Sequence, residues 1–62
     1  MIYENVKELC EKKNMSIKEL EEKAGLGNGV IGKWSKGVEP NIAILRKVAE
    51  ALGVKIATLL KE

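Results

Sequence analysis

Apolar residues return at three- and four-residue steps along most of the chain, a spacing that predicts a series of short amphipathic helices. Ile2, Val6, Leu9 and Cys10 share one such face, with Glu4, Lys7, Glu8 and Glu11 between them, so residues 2–13 are expected to form the first helix. Asn14 is placed to end it, because Asn tolerates the left-handed backbone found at many helix C-termini. Ser16-Ile17-Lys18-Glu19 is a capping box, in which the Ser and Glu side chains each satisfy an amide that the first turn leaves unpaired. Met15 and Leu20 flank it at the spacing of a hydrophobic staple. A second helix is therefore expected from Ser16 to about Ala24, where Gly25 permits a reversal.

Beyond the Gly25-Leu26-Gly27 turn, Ile31 and Trp34 stand three apart and predict a short third helix over 28–36, ended by Gly37. Its intrinsic propensity is poor. Gly29 and Gly32 lie inside it, and each Gly costs about 1 kcal/mol relative to Ala in a helix interior. Packing must hold this segment. Pro40-Asn41 marks the next boundary, with Asn41 as N-cap and Ile42, Leu45, Val48, Ala49 and Leu52 as the apolar stripe of a fourth helix closed by Gly53. Ile56, Leu59 and Leu60 outline a fifth. No repeat, linker or low-complexity tract interrupts the series, so the expectation is one all-α domain over 1–62, a compact five-helix bundle.

Composition narrows the function classes. A 62-residue chain with 45% hydrophobic content supports one small domain with a thin core. Cys10 is the single cysteine and there is no His, so an internal disulfide and a Cys/His zinc site are both excluded. No metal and no cofactor are expected. Without a His, a metal constellation or an activated nucleophile, the chain is not expected to be an enzyme or to take a small-molecule substrate. The glycines around Leu26 do not make a phosphate loop, since neither a preceding strand nor a Gly-Lys-Ser/Thr ending accompanies them. The N-terminus lacks the apolar core of a secretory signal, and no run approaches the roughly 20 apolar residues that span a bilayer. A soluble, cytoplasmic protein with no membrane partner is the expectation.

Charge changes the picture more than composition does. The formal charge of +2 divides into −2 over residues 1–22, +3 over 23–38 and +1 over 39–62. From Lys23 to Val38 there are three lysines, five glycines and no acidic residue, although 32% of the whole chain is charged. A polyanion approaching that stretch meets no repulsion.

Helices at 17–24 and 28–36 around a three-residue turn have the dimensions of a helix-turn-helix, with Leu20, Ala24, Leu26, Ile31 and Trp34 spaced to clamp them together. Ile31-Gly32-Lys33-Trp34 leading to Gly37, the Pro40-Asn41 pair, and Val48-Ala49-Glu50-Ala51-Leu52-Gly53-Val54 extend the pattern over nearly the whole chain. In these features the sequence resembles the lambda-repressor-like (Cro/XRE-type) DNA-binding domains. The resemblance implies double-stranded DNA as partner, with the third helix in the major groove. It places Asn28, Gly29 and Lys33 where bases are read, with Val30 beside them. Asn can pair with adenine, Lys can donate to guanine, and Val can touch a thymine methyl. Phosphate contacts are expected from the helix starts at Ser16, Ile17 and Lys18 and at Asn41, Ile42 and Ala43, with Lys36 adding charge at the end of the third helix. One module with few phosphate contacts binds weakly, so a homodimer is expected, joined through the C-terminal helix at Ile56, Ala57 and Leu60.

Several residues depart from the family pattern. Ile17 stands where relatives commonly carry a Gln that holds phosphate. Gly29 has no side chain to read with. Glu21 occupies a position that usually holds a small residue, so its carboxylate must bend outward or find a partner. Cys10 and Ser35 replace a frequent Arg and Glu pair, which avoids leaving one charge alone. Plainer readings stand beside the functional ones. Asn28 also suits a helix start, Lys18, Lys33 and Lys36 also suit a solvated face, and Trp34 and Cys10 are read as core. The competing function is a protein-interaction module of the same fold, of antitoxin or anti-repressor type. The Glu-rich stretch 4–22 leaves room for it.

Overall fold

The capping box closes as its residues dictate: Ser16 Oγ accepts from the Glu19 amide at 3.0 Å, and Glu19 Oε1 accepts from the Ser16 amide at 2.9 Å. These bonds start a helix at the point the sequence marks. The computed structural model describes residues 2–61. Met1 and Glu62, the ends of the expected 1–62 domain, lie outside the described residues. The elements in chain order are α1 (Ile2–Lys12), α2 (Ile17–Lys23), a 3-10 helix (Gly32–Lys36), α3 (Ile42–Leu52) and α4 (Ile56–Leu60). There is no strand among the described residues.

Most boundaries fall where the side chains place them. Asn14 takes the left-handed backbone, φ 54°, and ends α1. Asn41 caps α3 by accepting from the Ile44 amide at 2.9 Å, and Gly53 ends it in the left-handed region. The expected five-helix count needs correction. Among the described residues there are four α-helices, and the segment expected to be a third helix over 28–36 is a turn through residues 28–31 followed by the 3-10 helix Gly32–Lys36. The cause is local. Gly29 has φ 86°, a backbone that a right-handed helix does not contain, so regular α-helix cannot run through it. Trp34 then donates to the Ile31 carbonyl at 3.0 Å, and Gly37, at φ 94°, closes the 3-10 helix.

The core is built from Val6, Cys10, Leu20, Ile31, Trp34, Leu45, Val48, Ala49, Leu52 and Leu59. α1 lies against α2, the 3-10 helix and α4, while α3 packs between α2 and α4. Trp34, at 7% exposure, is a core residue, as its spacing from Ile31 indicates. Asn5 Nδ2 donates to the Leu59 carbonyl at 2.9 Å and also to the Lys61 carbonyl, tying α1 to the far end of the chain. Cys10 is buried with a free thiol, and burial raises its pKa, with Glu11 adding to the rise. No helix of the described residues is long and apolar enough to cross a membrane.

Candidate nucleic-acid interface

Burial sorts the acid-free stretch into an anchored side and a presented side. Ile31 is fully buried and Trp34 nearly so, with Ala24 and Leu26 packed against the same core. Asn28, Gly29, Lys33 and Lys36 are exposed, and Val30 is half-buried. Lys33 sits directly before Trp34, and Gly29 is two residues before Ile31. The segment therefore presents an amide side chain and two ammonium groups on a backbone that the core fixes. Such groups are suited to base edges and phosphate.

The acidic departure from the family pattern, Glu21, is internal. Glu21 is 3% exposed, and its two carboxylate oxygens accept separate backbone bonds. Oε1 takes the Gly29 amide at 3.1 Å and Oε2 takes the Ile31 amide at 2.8 Å. It finds a partner and does not bend outward. A carboxylate at this depth is satisfied by donors that the turn through 28–31 leaves open. The surface beside Asn28 is thereby spared the charge of Glu21, while the exposed Glu22 lines the same side. Sequence reasoning identified the anomaly at Glu21 without finding its partner, because a contact between residues 21 and 31 depends on how two elements cross.

The expected phosphate residues lie at two helix starts. Ser16 and Asn41 each bond the third amide of their helix, so the first two amides, at Ile17 and Lys18 and at Ile42 and Ala43, have no intrahelical acceptor. Ser16, Lys18, Asn41, Ile42 and Ala43 are exposed. Ile17 is half-buried against the core, so its side chain is structural and only its backbone faces this role. One cleft of about 330 Å³ is lined by Lys18, Glu21, Glu22, Leu26 and Asn28. It brings a lysine of α2 and Asn28 of the turn together, ten residues apart in sequence.

The remaining expected site residues are on α4. Ile56 is half-buried against the core, Ala57 is exposed and Leu60 is 47% exposed. Leu60 borders an open groove of about 550 Å³ shared with Tyr3, Trp34, Val38 and Pro40. Ser35 is exposed and donates its hydroxyl to the Gly32 carbonyl at 2.7 Å, while Cys10 is in the core. Neither carries a charge, so the missing Arg and Glu pair leaves no unpaired ion. Among the described residues, no group of three or more His, Cys, Asp and Glu is placed to hold a metal ion.

Comparison with known proteins agrees with this geometry. The family model described as helix-turn-helix matches residues 6–59. The chain is 34% identical over 64 aligned positions to the HTH-type transcriptional regulator SinR of Bacillus licheniformis, and equally to that of Bacillus subtilis (strain 168). Each alignment covers 100% of this chain and 58% of the relative, so the chain spans under two thirds of the length of the curated relatives it matches. No solved structure matches it significantly. With the family match running from α1 to α4 across the turn that Glu21 braces, the chain belongs to the Cro/XRE-type helix-turn-helix family of DNA-binding domains.

Proposed function

We propose that this chain is a sequence-specific double-stranded-DNA-binding domain of a transcription regulator, working as a repressor that binds a pseudopalindromic operator as a dimer. The observation that carries this reading is the exposure of Asn28, Lys33 and Lys36 on an acid-free segment whose Ile31 and Trp34 are locked in the core. The turn through 28–31 enters the major groove. Asn28 and Lys33 read base edges there, Gly29 allows close backbone approach, and Val30 offers an apolar contact to a thymine methyl. The amides opening α2 and α3 and the ammonium groups of Lys18 and Lys36 hold phosphates on either side. The named function of the SinR relatives, transcriptional regulation, supports the same assignment. A cytoplasmic location belongs to the same reading.

Dimerisation follows from the modest basic excess. A net charge of +3 over residues 23–38 supplies few phosphate contacts, and two half-sites multiply a weak single contact. Exposed Ala57 and Leu60 on α4, with half-buried Ile56 behind them, supply the apolar face for the twin subunit.

Titration against DNA selected from a random pool, and against random DNA, at several salt concentrations tests the reading. Tighter binding to the selected DNA, with log affinity falling linearly against log salt, is the expected result. No binding at low salt overturns it in favour of the protein-interaction module.

A further inference from the structure

Glu21 has no part in the reading of bases set out above, yet it touches the reading segment at two points. Gly29 follows Asn28 directly, Gly29 and Ile31 bracket Val30, and both donate to the same carboxylate. A turn of this kind ordinarily has its first amides satisfied by the side chain of its own N-cap residue. Here the candidate position is Gly27, whose carbonyl accepts from the Val30 amide at 3.3 Å and which has no side chain to offer. The 3-10 helix that follows has Ile31 as its N-cap residue and no side-chain cap of its own. The acceptor comes instead from α2, across the turn.

We propose that Glu21 is a positioning residue for DNA recognition, a cap supplied from another helix that sets the path of residues 28–31 and so the angle at which Asn28 and Lys33 meet the bases. Two oxygens on two amides fix both the height and the rotation of the turn relative to α2, which a single bond does not. The carboxylate is almost fully buried, so it acts only through the backbone it holds. It also occupies the amides of Gly29 and Ile31, so these do not bind phosphate. Phosphate is left to the starts of α2 and α3. The inference rests on the proposed DNA-binding function.

The test compares the unaltered protein with Glu21→Gln, Glu21→Ala and the double variant Glu21→Ala with Gly27→Ser. Gln keeps the shape but turns an NH2 toward one of the two backbone donors. Gly27→Ser supplies a local cap instead, and there is room for it, because an added Cβ meets only Val30 Cγ2 at 3.6 Å. Amide hydrogen exchange at Gly29 and Ile31 is read in the absence of DNA, and affinity for selected and for random DNA is read at one salt concentration. Both single variants should speed exchange at Gly29 and Ile31. The ratio of selected to random affinity should fall about tenfold, the order of one good base contact. Affinity for random DNA should hold, and Gly27→Ser should recover part of the ratio. A general loss of stability would lower both affinities together and would not be reversed by Gly27→Ser.

Unchanged exchange at the two amides overturns the proposal, as does an unchanged affinity ratio once they exchange freely. If Glu21→Ala does not fold, Glu21→Gln carries the same comparison. Failure of the proposed function is distinguishable, since the unaltered protein would then not prefer selected DNA, whatever the exchange rates show.

Discussion

The Ile31 amide donates to the buried carboxylate of Glu21 at 2.8 Å, linking α2 directly to the segment that presents Asn28 and Lys33. Ile31 itself is fully buried, so this short bond joins a core side chain, a buried acid and an exposed reading surface in one unit. Changes at any of the three reach the others through contacts already made, and each has its own measurable consequence.

The core half of that unit should dominate stability. Ile31→Ala removes a fully buried side chain and should cost about 2–5 kcal/mol, with Trp34→Ala at about 3–5 kcal/mol. Small domains hold only about 0.05–0.15 kcal/mol per residue, so Trp34→Ala should leave much of the protein unfolded at 37 °C. Urea denaturation followed by circular dichroism checks both. A cooperative transition with an unchanged midpoint for Ile31→Ala would show that the segment folds without its anchor.

Surface residues of the same segment should behave oppositely. Asn28→Ala and Lys33→Ala should each weaken binding to selected DNA by about 1–3 kcal/mol, with thermal unfolding unchanged. Lys36→Ala should instead weaken all DNA alike and reduce the salt slope by about 1. Fluorescence anisotropy at three salt concentrations separates these outcomes. Equal affinities for the unaltered protein and the first two variants would remove them as base readers.

The capping box at α2 should be worth a definite amount. Ser16 Oγ satisfies the Glu19 amide, and Ser16→Ala should lower stability by about 1 kcal/mol. Since α2 carries Glu21, faster amide exchange at Gly29 should accompany the loss. A denaturation midpoint equal to that of the unaltered protein would show that the box contributes nothing.

Cys10 supplies a pH dependence with a fixed sign. Burial raises its pKa above the ordinary 9.0, so the folded protein holds the proton more tightly than the unfolded chain. Its contribution to stability is complete below the unfolded value, and it is lost as pH rises through the higher folded value. Stability of the unaltered protein should therefore decline more steeply above pH 9.0 than that of Cys10→Ala, as read from denaturation midpoints. Parallel curves for the two proteins would show that thiolate burial is not resisted.

Leu60 tests assembly. Exposed by 47% at the end of α4, it should support the proposed dimer, and Leu60→Lys should shift sedimentation toward the monomer while leaving the helical content intact. The same variant should weaken binding to a two-half-site DNA more than to a single half-site. Sedimentation identical to that of the unaltered protein would place the subunit contact elsewhere.

The helices at Ser16 and Asn41, the left-handed stop at Asn14 and the core membership of Ile31 and Trp34 were legible in the sequence. Caps, stops and apolar spacing act over three or four residues, and the side chains that decide them are close along the chain. The basic, acid-free character of Lys23 to Val38 was equally plain, since it is a matter of composition. The form of that stretch was not. Spacing alone fitted an α-helix over 28–36, whereas Gly29 takes φ 86° and the chain becomes a turn and a 3-10 helix. The departure from regular helix is accommodated because Glu21 satisfies the amides it opens, and that pairing exists only once α2 and the following segment cross. Local sequence thus determined where helices start, where they stop and which faces are apolar. Tertiary packing decided the shape of the reading segment and gave the unexpected acid its work, because a buried charge is stable only where distant donors converge on it.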